Sequence, residues 1–338
     1  MAERKVTSLD VAAKAGVSQS AVSRVFTPGA SVSAKMTERV RRAADELGYR
    51  PNVLARSLIT GQSRIIGLVV AYLDNQFYPD ALERLSSALQ DLGYHILIFM
   101  AEGTGAAADE VIQDLLDYQV DGIVTASVGM SDTIAARCEA AGIPVVMFNR
   151  GQDDTRLSQV TSANRAGAAK IAEFLVAGGH RRIGHIAGWQ GSSTGRDRAE
   201  GFAEALDRLG QPVVAVAPGN YRRDIAADAV RQMMADVRPD ALFVGNDHMA
   251  FAVMDVLRFE LGLSVPGDVS VVGYDDVPLA AWPAYDLTTL RQSSGRMVAE
   301  TVALLMERIG SKDAPPRKVE LEGPLVVRGS ARVPEGWT

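Results

Sequence analysis

Short apolar runs recur along the chain from residue 65, and they constrain its fold more than any other feature. Continuous runs of branched residues separated by helical stretches are typical of parallel strands that are buried on both faces. A first series covers residues 65–73, 95–101, 122–127 and 143–149, and a second covers residues 182–188, 213–217, 241–246 and 269–276. Two similar series predict two doubly wound α/β lobes, with a cleft at the carboxyl ends of their strands.

Connections between the lobes are expected near residues 161–164, 290–293 and 322–325. The first lobe would then contain approximately residues 64–162 and 292–322, and the second approximately residues 163–291 and 323–338. Because the chain would pass between the lobes at these points alone, we expect a cleft that can open and close.

Charge separates the front of the chain from the rest. The 338 residues have a formal charge of −6, yet residues 1–64 contain 11 Lys and Arg against 5 Asp and Glu, a charge of +6 that leaves −12 for residues 65–338. A basic segment on an acidic body indicates a module that docks on phosphate. A binding protein without affinity for DNA is the alternative, and the basic segment argues against it.

The remaining composition indicates where the protein resides. The single cysteine, Cys138, excludes an intramolecular disulfide and fits a reducing compartment. The sequence lacks the apolar segment of a signal peptide, and no apolar run reaches the roughly 20 residues that span a bilayer. We therefore expect a cytoplasmic protein without a membrane partner.

Residues 8–26 predict two short helices joined by a tight turn. Ser8 and Ser18 are candidate N-caps, and Gly16 supplies a permissive backbone at the turn. Ala12, Gly16 and Val22 have the spacing of a helix-turn-helix, which presents the start of its second helix to the major groove of DNA.

A third helix is predicted between Ser33, a candidate cap, and Gly48, a candidate stop. Its apolar positions recur at helical spacing and would complete a small core. These positions are Met36, Val40, Ala43 and Leu47.

The second helix carries the candidate base-reading side chains. Glutamine can bind adenine and arginine can bind guanine through paired hydrogen bonds, whereas serine suits phosphate contacts or capping. We expect Gln19, Ser20 and Arg24 near base edges, with Ser18 and Ser23 as phosphate-binding or capping residues. Solvent-facing polar positions without a DNA contact are the alternative.

Residues 51–63 predict a short helix that needs a partner. Pro51 ends the preceding element, and Asn52 can cap a new helix of under two turns, which is too short to be stable alone in water. Small Ala55 permits close approach to another helix or to a groove floor, and Leu58 is apolar without an evident core. An ordinary linker is the alternative.

Residues 6–26 and 31–58 resemble the head and hinge of LacI/GalR transcription regulators, and the similarity continues through the chain. The resemblance implies a helix-turn-helix head over residues 1–50, a hinge over 51–63 and an effector-binding body over 64–338 that is similar to periplasmic sugar-binding proteins. It also implies hinge helices that pair in the minor groove, where Leu58 wedges into a base step. The predicted DNA-binding residues of the hinge are Asn52, Ala55, Arg56 and Leu58.

The effector site is predicted from polar residues at strand ends. By resemblance, Arg198, Asn246 and Asp275 match the family positions that hold the polar groups of the effector. Asn75 and Arg150 follow strands of the first series. Such side chains suit a sugar, sugar acid or polyol, because each can bind paired hydroxyls. A loop cap or a salt bridge is the alternative for each of them.

Aromatic side chains are candidates for covering the apolar face of a sugar. We expect Phe77, Trp189 and Trp282 in this role, with a purely structural role as the alternative. Residues 279–292 depart from the better-known family members, so the effectors of those members cannot be transferred.

A hydrolase is the competing class, because Gly191–Gly195 satisfies the G-x-S-x-G pattern with Ser193 as its central serine. Only His248 lies downstream of Ser193, and the required acid would have to lie between them. The sequence also lacks a phosphate-binding P-loop and a Cys/His cluster. We therefore predict no enzyme activity, no cofactor and no metal site.

Together these features predict a homodimer that binds a near-palindromic operator and responds to a small effector. Closure of the cleft would change the distance between the hinges and thereby the affinity for DNA. The mode of regulation that we favour is repression, with release of the protein from DNA when a sugar binds. Co-repression, activation and tetramer formation stay open, as do the effector and the operator.

Overall fold

The computed structural model describes residues 6–27, 30–50, 62–101, 105–311 and 313–337. The chain divides into two compact units, Met1–Ser63 and Arg64–Thr338. Within the described ranges, no helix is both long enough and apolar enough to cross a membrane.

The first unit contains the three predicted helices. They are α1 (Ser8–Ala15), α2 (Gln19–Val25) and α3 (Ala34–Leu47). Gly16 and Gly48 follow α1 and α3 with φ values of 63° and 66°, a left-handed conformation that glycine adopts without strain.

The core of the head consists of small and branched side chains. Val22 of the second helix is buried in one cluster with residues of the first and third, as the helix-turn-helix spacing predicts. The buried members are Val11, Ala12, Ala15, Val22, Val25, Val40, Ala43 and Ala44. Such a set lets three short helices approach closely and bury one shared face.

Two of the three predicted caps are confirmed. Ser18 accepts a hydrogen bond from the backbone N–H of Ala21 at 3.3 Å, and Ser33 accepts one from Met36 at 3.4 Å. The prediction for Ser8 is wrong, because Ser8 is already the first helical residue and Thr7 precedes it as the N-cap. The carboxylate of Asp10 accepts the Thr7 backbone N–H at 2.8 Å.

The second unit is built on two six-stranded sheets. The strands of the first sheet, in spatial order, are β11 (Lys318–Leu321), β5 (Ser158–Ser162), β4 (Val145–Phe148), β3 (Gly122–Ala126), β1 (Ile65–Val70) and β2 (His95–Met100). All neighbours in this sheet are parallel. We call this sheet and its helices the first lobe.

The second sheet repeats the same winding. Its order is β12 (Leu325–Val326), β10 (Thr288–Arg291), β9 (Ser270–Asp275), β8 (Ala241–Val244), β6 (Ile183–Ala187) and β7 (Ala215–Pro218). The pairs are parallel except that β12 runs antiparallel to β10. We call this sheet and its helices the second lobe. The chain passes between the sheets after Ser162, Arg291 and Leu321.

Helices cover both faces of each sheet. Those of the first lobe are α4 (Phe77–Asp91), α5 (Gly105–Asp117), α6 (Asp132–Ala141) and α11 (Ser294–Gly310). Those of the second lobe are α7 (Asn164–Ala177), α8 (Ser193–Arg208), α9 (Arg223–Asp236) and α10 (Asp247–Asp255), which continues as a π-helical turn over Val256–Glu260. A 3₁₀ turn spans Pro278–Ala281.

Strand β4 shows why these runs are apolar throughout. Val146 and Phe148 belong to one hydrophobic cluster, whereas Val145 and Met147 belong to the cluster on the opposite face. Because successive side chains of a strand point to opposite faces, a sheet with helices on both sides needs apolar residues at every position. The eight predicted apolar runs all form strands.

Candidate functional site

A cleft lies between the carboxyl ends of the strands of the two lobes. It contains two cavities of about 580 and 570 Å³, and both are lined by Ala71, Ser127, Arg150 and Trp189. These residues follow β1, β3, β4 and β6, so the strands that flank the reversal of strand order in each sheet deliver them to one place. Ligands of doubly wound folds bind at this position.

Arg150 and Trp189 divide the cleft into its two cavities. The guanidinium carbon of Arg150 lies 5.2 Å from the centre of the Trp189 ring, within the range of a cation–π interaction. The Arg150 Nε atom is buried without a hydrogen-bond partner among the described residues. The pair joins the two lobes, and both members are predicted effector-binding residues.

The floor of the cleft is a ring of polar side chains. Four predicted residues, Asn75, Arg198, Asn246 and Asp275, come together there. Six further residues, which were not predicted as effector-binding, complete the ring: Tyr72, Tyr78, Ser127, Asn149, Thr194 and Tyr221. The space that they enclose is about 10 Å³, enough for about one water molecule.

Arg198 is the central cation of the floor and is only 3% exposed. Its Nε donates to the Asn164 side chain at 2.8 Å, and its Nη1 donates to the Gly245 carbonyl at 2.7 Å. The guanidinium also lies 3.6 Å above the centre of the Tyr274 ring and 3.6 Å from the Asp275 carboxylate. Arg198 is thus held from several sides before any ligand arrives.

Asp275 connects the two lobes across the floor. It accepts hydrogen bonds from the Gln292 amide at 2.7 Å and from the Asn75 amide of the first lobe at 3.3 Å. Asn246 is the N-cap of α10, where its side chain accepts the Met249 backbone N–H at 3.0 Å. Both predicted residues therefore lie in the floor, and each already has a structural partner.

A second buried carboxylate, that of Asp247, lies beside Asp275. Burial raises the pKa of Asp275 to about 6, although the nearby Arg198 opposes the rise. Burial together with the negative charge of Asp275 raises the pKa of Asp247 to about 8. Asp247 is held by the Thr289 hydroxyl at 2.6 Å and by the Val277 backbone N–H at 3.0 Å. The protonation of Asp247 and Asp275 therefore depends on the groups that surround them in the floor of the cleft.

The wall contributed by the first lobe contains a second polar cluster. The Asn149 amide donates to the Tyr78 hydroxyl at 2.7 Å, and that hydroxyl is also hydrogen-bonded to Ser127. The Asn149 side-chain carbonyl is buried without a partner among the described residues. Asn149 has a φ of 69°, a backbone conformation that asparagine tolerates better than most residues.

Two of the predicted aromatic residues do not line the cavities. Phe77 is buried in the core of the first lobe, where its ring stacks on Phe148 at 6.0 Å, because it is the first residue of the apolar face of α4. Trp282 is 57% exposed at the end of the 3₁₀ turn and outside the residues that line the cleft.

The residues of the hydrolase pattern have other partners. Ser193 is the first residue of α8, and its hydroxyl accepts the backbone N–H of Gly151 at 3.0 Å. His248 lies 3.5 Å from the carboxylate of Asp74. Among the described residues, no hydrogen bond connects Ser193 with His248.

The head presents a polar surface along α2. Ala21, Val22 and Val25 are buried, whereas the predicted residues Ser18, Gln19, Ser20, Ser23 and Arg24 are all exposed. The Gln19 amide donates to the Ser8 hydroxyl at 3.0 Å, which steadies the start of the helix. The hinge residues Asn52, Ala55, Arg56 and Leu58 lie outside the described residues, and their roles stay predictions.

Comparisons with known proteins agree with this architecture. Residues 7–52 match the family model of bacterial regulatory proteins, lacI family, and residues 172–331 match the model of a periplasmic binding protein-like domain. The chain is 30% identical to the HTH-type transcriptional repressor PurR of Vibrio atlanticus (strain LGP32), over 96% of this chain and 98% of the relative. It is 31% identical to the ribose operon repressor of Escherichia coli (strain K12), over 96% and 99%.

Solved structures show the same similarity. The crystal structure of the Lac repressor dimer bound to operator and an anti-inducer superimposes with a TM-score of 0.86 at 30% identity, covering 97% of this chain and 99% of that chain. A complex of the transcriptional regulator CelR with cellobiose gives a TM-score of 0.71 at 31% identity, covering 96% and 100%. These relatives are transcription regulators and not enzymes. The chain therefore belongs to the LacI family of bacterial regulatory proteins and is a DNA-binding transcription regulator.

Proposed function

We propose that this regulator is a repressor that binds a near-palindromic operator as a homodimer and is released by a small polyhydroxylated effector. The observation that carries the proposal is the cleft, in which polar side chains from both lobes meet beside two cavities of about 580 and 570 Å³. Relatives named for a ribose operon and for a cellobiose complex support an effector of this class.

The exposed polar face of α2 supports major-groove recognition. Gln19, Ser20 and Arg24 lie on the solvent side of a helix whose other face is fixed in the core of the head. A recognition helix needs this arrangement, because its base-reading side chains must project while its backbone stays in place. Ser18 and Ser23 would then contact phosphates.

Exposed apolar side chains support a homodimer. Ile98 and Met100 lie exposed on β2, the edge strand of the first sheet, and Phe259 and Trp282 are 82% and 57% exposed in the second lobe. Arg258 donates to the Ala284 carbonyl at 2.5 Å, which holds the segments of Phe259 and Trp282 together. Large apolar groups on a surface mark an interface, and the relative solved on operator DNA is a dimer.

Contacts across the cleft would couple effector binding to the affinity for the operator. The Asn75–Asp275 hydrogen bond, the Arg150–Trp189 pair and the Asp74–His248 contact all join one lobe to the other. A ligand that takes over any of these partners changes the preferred angle between the lobes. The resulting coupling to operator affinity is expected to be about 1–3 kcal/mol and reciprocal.

The direct test is selection of DNA by the purified full-length protein. Sheared DNA from the source genome would be incubated with the protein, and bound fragments would be sequenced with and without a panel of sugars. We expect enrichment of a near-palindromic site and its loss with one class of sugar. Equal recovery of all fragments under every condition would contradict the proposal.

A further inference from the structure

The cleft contains a positive charge, that of Arg150, without a charged partner among the described residues. The Nε of Arg150 is buried and unpartnered, and among the described residues no hydrogen bond or ion pair involves its guanidinium. Its contact is with the Trp189 ring, which steadies a cation without neutralising it. The residue as a whole is half-buried, and a partly desolvated cation that faces a cavity without a charged partner is suited to binding an anion.

The acids that line the two cavities are engaged elsewhere. Asp224 pairs with Arg222 at 2.7 Å, and Asp74 lies 3.5 Å from His248. Asp153 pairs with Lys318 at 3.6 Å, and Asp109 accepts the Ser131 backbone N–H at 3.0 Å. Among the described residues, none of these acids is hydrogen-bonded or ion-paired to Arg150, which leaves its guanidinium available to a ligand.

The cavity between Arg150 and α6 adds further groups that favour an anion. Arg196 lines it, and among the described residues Arg196 is bonded to the Gln190 carbonyl, at 3.4 Å, and to no acid. The N-terminal residues of two helices, Ser131 before α6 and Ser193 of α8, also line it. The partial positive charge of a helix N-terminus favours a nearby anion.

We infer that the effector is a small polyhydroxylated monocarboxylate, a sugar acid, whose carboxylate is bound by Arg150 in the cavity of about 580 Å³. A carboxylate fits because its two oxygens match the paired donors of a guanidinium edge. A single negative charge fits because Arg150 is the half-buried cation of this cavity without a charged partner among the described residues, and Arg196 is exposed to solvent, so a dianionic phosphate ester would leave charge uncompensated. The Ser193 hydroxyl accepts the Gly151 backbone N–H and can still donate a hydrogen bond to the sugar chain. This inference rests on the proposed function and specifies its ligand.

The test compares acids with neutral sugars of the same carbon skeleton on the full-length protein. D-gluconate, D-glucuronate and D-galacturonate are paired with D-glucitol, D-glucose and D-galactose, and D-glucose 6-phosphate represents phosphate esters. Isothermal titration and thermal shift measure binding. We expect at least one carboxylate to bind roughly tenfold or more tightly than its neutral counterpart, the contribution of one charge-assisted hydrogen-bond pair.

Two substitutions assign the preference to Arg150. Arg150→Gln should abolish the discrimination between acid and neutral sugar. Arg150→Lys should retain part of this discrimination, because lysine keeps the positive charge but lacks the paired N–H donors of the guanidinium. Arg165→Gln removes a surface charge outside both cavities and should leave the discrimination unchanged. The melting temperature without ligand and the affinity for the selected operator show that each variant is folded.

The outcomes separate the two proposals. Equal binding of acids and neutral sugars, binding of the phosphate ester alone, or no binding by any carboxylate of the panel would overturn the sugar-acid inference. If neutral sugars still changed operator affinity, the proposed function would stand without it. If a carboxylate bound through Arg150 without changing operator affinity, the inference would stand and the proposed mechanism of release would fail.

Discussion

The two lobes present unlike surfaces to the cleft that they share. In the second lobe, Arg198 and Asn246 are buried and hydrogen-bonded to their own lobe before any ligand arrives, and the buried Asp275 faces Arg198 at 3.6 Å. In the first lobe, the Arg150 Nε and the Asn149 side-chain carbonyl are buried without hydrogen-bond partners in the part of the chain that the structure describes. The second lobe is thus a pre-organised support, whereas the first lobe has unused binding capacity that a ligand can satisfy. We expect substitutions in the second lobe to reduce stability and substitutions in the first lobe to change ligand preference.

The largest effect is expected from Arg198→Met. This change removes the cation that faces Asp275 and leaves that buried carboxylate uncompensated, so the free energy of unfolding should fall by about 3–5 kcal/mol. Denaturant titration at neutral pH measures it. Arg165→Met, at an exposed arginine paired with Glu200, should cost less than about 1 kcal/mol. Similar losses for the two variants would contradict the view of Arg198 as a buried support.

Sequence patterns predicted some parts of the molecule well. The eight apolar strands and the helices of the head were visible because one repeating apolar pattern determines each of them. Strands β5 and β10 were not predicted as strands, because they are short and place polar residues such as Ser158 and Thr288 in buried positions near the crossovers. Their polar groups have long-range partners, and sequence periodicity contains no information about such partners.

The candidate site was predicted only in part for a similar reason. Strand ends identified Asn75 and Arg150, since the carboxyl edge of a parallel sheet is a general position for ligands, whereas Arg198 was identified by resemblance to the family. Phe77 was misplaced, although its helical spacing with Ala81 and Leu85 was a visible signal for a core position. The contribution of Asn149 depends on its φ of 69° and on Tyr78, neither of which can be read from local sequence.

The free energy of unfolding should also depend on pH through Asp275 of the second lobe. The pKa of Asp275 is raised by burial from 3.8 in the unfolded chain to about 6 in the folded protein. Its stabilising contribution is therefore complete below pH ~4 and is lost as pH rises through about 6. Asp275→Asn should remove this dependence, so the stability difference between the two proteins should vary over this interval. A constant difference across the interval would show that Asp275 does not titrate as described.

A smaller loss is expected from Asn246→Ala. The cap of α10 disappears and the Met249 backbone N–H loses its acceptor, which costs about 1 kcal/mol. Asn246→Ser keeps a capping oxygen and should restore most of the unfolding free energy. Denaturation midpoints of the three proteins provide the comparison. A serine variant no more stable than the alanine variant would rule out capping as the main role.

The smallest change in stability is expected in the first lobe, from Asn149→Gly. Loss of the hydrogen bond to Tyr78 costs about 1 kcal/mol, and glycine offsets part of this because it adopts the left-handed backbone without strain. The affinity for the carboxylate that binds best should nevertheless fall, because a ligand partner is gone. Isothermal titration and denaturation on the same samples separate the two effects. A large loss of stability with unchanged ligand affinity would reverse the proposed division of roles.

The central claim is that occupation of the cleft changes the affinity of the protein for its operator. Fluorescence anisotropy with the selected operator duplex, titrated at zero and at saturating concentration of the carboxylate that binds best, tests it most directly. We predict that the dissociation constant for DNA rises by roughly 5- to 150-fold when the ligand is bound, with a corresponding loss of ligand affinity when operator is bound. Identical operator affinity with an empty and a fully occupied cleft would contradict the account.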